Sequence, residues 1–519
     1  MSSATVVEEV LNRSLGDLSL NGHAPQTCAL QIERQLGETE VSYFLPSRED
    51  GVNDMYLHLG VRAPSDLVHR QRVCFVWAIL RLRHPLLASA VRMKDYSDIA
   101  FLYCAPSSPA EALRSADLCL EYKALSKNDL IDSYLNGPRT LSNDRLSYLI
   151  VSSDDPSQGM EKNFDFLICA THFLGDGMAL HQFANDFFTL LGGPSSIEDL
   201  QTKLSMEWQS RVQKKPPTLP SPMEDRLPLI ASQGFGPVVA RVDFQETQRK
   251  LIGGHAFPRK SRGPRHTIVP TISFGPEETR KMLVNSKRRG VSISSALFAI
   301  CNMAWARTHP SNWDLPMMMY SALNMRPNLT ADKALNDSYW FLAIGYFNVV
   351  LPSFIPQHGD VSRSFWHRAH SAKMQSAKAA KSPLNVTRCR EMAKERGQRA
   401  RIWAKEDDDK AMGISPQLST AVPAPSAPPK PKVPSAALMG LSLLGNLDGI
   451  YKHSTFPNIK LHTLTTGSRQ RAGGMLLFGY TFVEKLWVSL GYDENNFEKE
   501  AIENFWHNVN SAINEFLLT

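Results

Sequence analysis

The stretch from Asp165 to Gly177, Asp-Phe-Leu-Ile-Cys-Ala-Thr-His-Phe-Leu-Gly-Asp-Gly, constrains the chain more than any other. An apolar run stops abruptly there at a histidine, two glycines and an aspartate. Phe164 to Thr171 reads as a strand buried on both faces, because no polar residue alternates with the apolar ones from Phe166 to Ala170. Behind it Leu180, Phe183, Ala184, Phe187, Phe188 and Leu191 recur at helical spacing, and Gly192-Gly193 ends the helix. His172 therefore falls at the end of a core strand, where a rigid scaffold can hold an imidazole at the edge of a cavity.

Such a histidine has a chemical use. Imidazole, with an unperturbed pKa near ~6.5, accepts a hydroxyl proton at neutral pH when a neighbour fixes its tautomer and ring position. Asp176, four residues on, can fix the loop, and Gly175 and Gly177 let the backbone bend tightly. Taken alone, a histidine at a strand end is more often structural. Asp176 is equally the N-cap of a helix opening near Met178, a role that does not exclude a functional one.

Composition sets the outer limits. The chain has 519 residues, 43% of them hydrophobic, enough for two domains with their own cores. A net charge of +6, from 57 basic and 51 acidic residues, suits a small polyanionic ligand and falls short of the basic stripe of a nucleic-acid protein, so no nucleic-acid partner is expected. The seven cysteines stand singly with no Cys-x-x-Cys, which suggests neither a disulfide framework nor a zinc site and fits a reducing compartment. No signal pattern precedes Gly22 and no run approaches ~18 apolar residues, so a cytoplasmic protein with no membrane span is expected.

In chain order, residues 1–40 read as a polar, irregular arm that becomes ordered only by packing on the body. A first subdomain, 41–222, carries His172 and an antiparallel pair formed by a strand near Leu146 to Val151 with the His172 strand. His84, before Pro85 at a helix end, reads as a packing residue. The Pro-rich stretch Lys214 to Pro222 marks a boundary. An irregular, basic crossover over 223–265 follows, then a second subdomain over 266–519. Within that, Ser292 to Ser295 cap a buried helix, Met475 to Phe482 and Leu486 to Tyr492 form a hairpin, and the Pro/Ala/Ser-rich tract at about 406–436 is a flexible excursion.

This order of pieces resembles the chloramphenicol acetyltransferase-like superfamily. It brings together Arg83-His84-Pro85-Leu86-Leu87 after an amphipathic helix, His172 to Gly177 at a strand end, a capped Ser-rich helix, Asn324-Met325-Arg326, and a terminal strand pair with a helix. That superfamily includes plant BAHD acyltransferases, fungal acetyltransferases and peptide-synthetase condensation domains. From about residue 45 onward the chain is most similar to the fungal trichothecene 15-O-acetyltransferases. The resemblance implies an α/β fold of mixed sheets, with two similar subdomains and a tunnel between them. It further implies a monomer with acetyl-CoA as co-substrate, no bound cofactor and no metal. The acceptor would be a small hydrophobic alcohol, the C-15 hydroxyl of a trichothecene, as in 15-decalonectrin going to calonectrin. His172 matches the family base, which forms no covalent acyl-enzyme. Asp176 matches the structural aspartate, and Arg326 falls where several members supply its salt-bridge partner. Ser286, Lys287 and Arg288 lie where some members contact the nucleotide of CoA, although basic residues at a helix end are equally a solvated terminus. The Asp-Phe-Gly-Trp-Gly motif of plant members is absent. Leu444 to Gly449 lies near the corresponding region, and Asn446 is the candidate oxyanion or tunnel residue. Two other readings are an acyltransferase for another hydrophobic alcohol and a non-catalytic condensation-like binding protein. Metal-assisted hydrolysis would need ligands beyond His172, Asp176 and His181.

Overall fold

The computed structural model describes residues 30–155, 159–228, 235–309, 313–330, 338–356, 358–414 and 435–519. From the N-terminus, β1 (Gln31–Gln35) and α1 (Glu38–Ser47) lead into β2 (Met55–Pro64) and α2 (Arg70–Arg83). Then come β3 (Ala90–Met93), β4 (Ile99–Cys104), α3 (Pro109–Asp117), β5 (Leu120–Lys123) and α4 (Lys127–Asn136). The half closes with β6 (Ser147–Ser152), β7 (Glu161–Ala170), α5 (Gly177–Leu191) and α6 (Ile197–Trp208).

Strand β7 forms because its residues serve two cores at once. Phe166, Ile168 and Ala170 point into the main cluster with α5, while Leu167 and Cys169 point into a second cluster with Leu130 and Tyr134 of α4. Antiparallel neighbours β2 and β6 flank it, the latter as the sequence predicts. The ring of Phe166 meets Phe187 and Phe188 of α5 at 5.8 and 5.3 Å. Each such buried aromatic contributes roughly 1.5–3 kcal/mol over its exposed state. The buried face of α5 thus anchors the strand that carries His172.

One short helix, α7 (Met223–Arg226), and a longer one, α8 (Gly236–Arg249), lead to β8 (Gly253–Gly254), β9 (Thr267–Ile268) and β10 (Thr271–Phe274). The second half continues with α9 (Pro276–Arg288), α10 (Ile293–Thr308), β11 (Met317–Asn324), β12 (Ile344–Leu351), α11 (Val361–Lys381) and α12 (Asn385–Ala411). It ends with β13 (Ser435–Ala436), β14 (Met439–Asn446), β15 (Lys460–Ser468), β16 (Met475–Phe482), β17 (Lys485–Asp493) and α13 (Lys499–Leu517). A seven-stranded mixed sheet runs β10-β17-β16-β14-β11-β12, with β9 also on β17. Helices α10, α11 and α13 cover it, and Phe365 stacks on Phe516 at 4.3 Å.

Four features depart from the local pattern of the sequence. Strand β15 leaves its own half and pairs antiparallel with β2, so the first five-stranded sheet runs β15-β2-β7-β6-β5. Within the span read as an arm, β1 pairs with β4 and α1 begins at Glu38, while residues 1–29 lie outside those described. Within the span read as an irregular crossover, α8 buries Ala240 and Phe244 one turn apart and is tied to α12 by the Asp243–Arg388 ion pair at 2.6 Å. Helix α12 reaches Ala411, inside the expected excursion, of which residues 415–434 lie outside those described. Among the described residues five cysteines are free and buried and Cys104 is disulfide-bonded, where the singly spaced cysteines suggest no disulfide framework. Among the described residues no helix is long and apolar enough to cross a membrane.

Candidate active site

Beyond Ala170 the chain cannot continue β7. The Thr171 amide donates to Leu146 across the ladder, and Leu174 turns back to the Thr171 carbonyl, closing a short 3-10 turn over His172–Leu174. Asp176 then caps α5, its Oδ1 accepting from the Ala179 amide at 3.2 Å. Gly175 is extended, with φ near −178°, and needs no glycine for its backbone. It needs one for space, since a Cβ there would lie 2.8 Å from the buried Trp340 ring. On the far side Gly177 faces Leu444, which sits at a β-bulge of β14. The His172 loop is thus wedged between the two halves of the molecule.

Nδ1 of His172 lies 3.1 Å from the carbonyl oxygen of Gly175. A carbonyl only accepts, so Nδ1 carries the proton and Nε2 keeps a free lone pair. The ring of Tyr43, from α1, stacks on the imidazole at 4.3 Å and 28°. Burial is the main influence on the half-buried His172 and lowers its pKa, against a smaller opposing pull from the Asp176 carboxylate. The resting ring is therefore neutral at pH 7.

Asp176 turns away from this ring. Nη1 of Arg326, just past β11, lies 2.9 and 2.8 Å from its two carboxylate oxygens, and the Ala343 amide donates to Oδ2 at 3.0 Å. Nη2 of Arg326 in turn donates to the carbonyls of Phe341 and Tyr339. With cap, backbone and guanidinium all directed at one buried carboxylate, its lone pairs are engaged by the scaffold.

The remaining candidates form no hydrogen bond to this group among the described residues. The amide oxygen of Asn446, at the exposed end of β14, accepts from the Asp448 amide and the Thr481 hydroxyl. Ser286 is buried, while Lys287 and Arg288 are exposed at the C-terminal end of α9. His84 is buried against Ser338 and the Tyr339 ring, and His181 against the Tyr451 hydroxyl, with burial pushing each pKa down to about 3. Among the described residues no three His, Cys, Asp or Glu side chains gather into a metal-holding cluster. A separate cleft of about 650 Å3, lined by Arg289, Trp366 and Arg368 among others, shares no residue with the His172 site. Tyr43, Tyr346 and Arg396, which crowd the site, carry no local pattern that marks them in the sequence.

No family model and no curated protein matches the chain. Solved structures do. TRI3 trichothecene 15-O-acetyltransferase from Fusarium sporotrichioides superposes with a TM-score of 0.70 at 15% identity, covering 96% of this chain and 99% of that one. The epimerization domain from the third module of tyrocidine synthetase B gives 0.55 at 11% identity, over 94% of this chain and 98% of the other. The condensation domain of the monacolin K polyketide synthase MokA gives 0.51 at 12%, over 94% and 98%. The chain has the two-subdomain fold of the condensation and chloramphenicol acetyltransferase-like proteins. At these identities the likeness establishes the fold.

Proposed function

We propose that the protein is an O-acyltransferase in which His172 is the general base, acetyl-CoA the donor and a hydrophobic alcohol of the trichothecene class the acceptor. One observation carries the reading: a neutral imidazole with Nδ1 tied to the Gly175 carbonyl, so that Nε2 is the atom free to accept a proton. Nε2 takes the proton of the acceptor hydroxyl as that oxygen attacks the thioester carbonyl. The C–S bond then breaks, and the leaving thiolate takes the proton back from the imidazolium. No acyl-enzyme is needed, because holding both substrates against one base makes the transfer effectively unimolecular. Asp176, committed to Arg326, serves the loop and not the proton transfer.

Lys287 and Arg288 are the proposed partners of the donor's phosphates, being exposed cations at a helix end, with Arg288 held by the amide oxygen of Asn285 at 2.9 Å. Asn446, whose amide oxygen is already engaged, is left with its amide nitrogen to donate to the oxyanion. The fold shared with a trichothecene 15-O-acetyltransferase supports the acceptor class. The deciding experiment is free-thiol release from acetyl-CoA across a panel of alcohols that includes 15-decalonectrin. Release with that acceptor and not with simple alcohols is expected. CoA binding without release for any alcohol would overturn the reading in favour of a binding protein.

A further inference from the structure

A second arginine stands at the His172 site, and unlike Arg326 it meets no carboxylate among the described residues. Four basic residues of α12 pair with carboxylates, Arg388 with Asp243, Lys394 with Glu391, Arg399 with Glu395 and Arg401 with Glu38, and Arg390 donates to the backbone carbonyls of Leu227 and Pro228. Arg396 instead faces aromatic rings, its Cζ 4.5 Å from the centre of Tyr346 and 5.5 Å from that of Tyr43. Its Nε is buried with no hydrogen-bond partner among the described residues. A guanidinium is stable over such ring faces because their quadrupoles are negative.

The two rings lead straight to the base. Tyr43 is the ring stacked on His172, and its hydroxyl is hydrogen-bonded to that of Tyr346. Tyr346 on β12 is backed by Tyr320 on β11, with ring centres 6.4 Å apart. Gly440 on β14 leaves room for Tyr320, since a Cβ there would come within 2.6 Å of its hydroxyl oxygen. These contacts put the guanidinium within about 10 Å of the imidazole.

We propose that Arg396 is a positioning residue for His172. It clamps the Tyr43–Tyr346 pair so that the Tyr43 ring holds the imidazole in plane, and its unneutralised charge disfavours a protonated resting ring. The inference rests on the reading of His172 as the base. The other groups facing the ring do not cancel this charge. Asp176 is already compensated by Arg326, and Tyr43 is neutral because burial raises its pKa. Burial of His172 and the nearby Arg396 both lower the imidazole pKa, so the cation adds to what desolvation begins.

The test is an NMR titration of the His172 ring in wild type, Arg396→Met and Arg396→Lys, which needs no turnover. Loss of a unit charge at this distance in a partly solvated setting should raise the His172 pKa by roughly half a unit in Arg396→Met. In assays, kcat should then fall by up to about threefold more at pH 6 than at pH 8, with KM for CoA unchanged. Arg396→Lys should restore the titration while kcat stays low, because an ammonium lacks the planar stacking of guanidinium. Should Arg396→Met fail to fold, Arg396→Gln reads the same pKa rise. A lowered melting temperature with unaltered titration would make Arg396 merely structural and overturn the proposal. Wild-type protein that releases no thiol with any alcohol would sink the acyltransferase reading, yet the titration would still report on Arg396.

Discussion

Nη1 of Arg326 reaches both carboxylate oxygens of Asp176, at 2.9 and 2.8 Å, across the seam between a helix cap of the first half and a strand end of the second. The carboxylate is buried and the guanidinium only about one-fifth exposed. Removing one partner leaves the other poorly compensated, at a cost of about 3–5 kcal/mol. Asp176→Ala and Arg326→Ala should therefore each lower melting temperature as well as acyl transfer. Each single change already breaks the pair, so the double variant should lose less than the sum of the two. Strictly additive losses in a double-mutant cycle would contradict this role.

His172→Ala is expected to behave differently. The imidazole is held by one backbone contact and one ring stack at the edge of the core, so the fold should survive its loss. Turnover should drop roughly 10²-fold or more, the scale for removing a positioned base, while CoA binding measured by calorimetry is retained. Turnover within a few-fold of wild type would remove His172 from the chemistry.

How much of this was legible depends on the range over which each feature is encoded. Strand β7 and helix α5 are written in local apolar periodicity, and the β16–β17 hairpin in two apolar runs around a short turn. The turn itself is not local. Val483 and Glu484 sit at φ 51° and 59° without a glycine, and the Asp448 carboxylate accepts from both their amides. Strand β15 joins the first sheet through pairing with residues some 400 positions earlier, which no window of sequence reports. At the site, His172, Asp176 and Arg326 lie in turns with a recognisable order. Arg396 sits in a helix whose other charges are solvated or paired, and Tyr43 in a buried stretch of α1 that reads as ordinary core.

Gly175 tests how tightly the His172 loop is set. A methyl group there would lie 2.8 Å from Cε3 of Trp340, a ring with no exposure and no room to retreat. Gly175→Ala should push the loop outward by some tenths of an ångström and lower kcat by ~10-fold or more, since small misplacements of a reacting group are costly. Trp340→Phe should partly rescue it by making room. Full activity of Gly175→Ala with unchanged melting would show the loop to be compliant.

His84 and His181 give the protein an acid-side stability limit. Both are buried and neutral, and burial pushes each from an ordinary 6.5 down to about 3 in the folded state. The unfolded chain therefore binds a proton at each between those two values, and stability rises with pH across that window. Above about pH 6.5 the penalty is absent. At pH 5 each histidine should cost roughly 2 kcal/mol, set by the difference between ordinary pKa and ambient pH. Urea denaturation at pH 7 and pH 5 should show the loss. His181→Asn, which keeps a polar group near the Tyr451 hydroxyl but cannot titrate, should shrink the difference between the two pH values by about one histidine's share. A variant with the full wild-type difference would mean that His181 is protonated in the folded state and that its hydrogen bond to Tyr451 is made by an imidazolium.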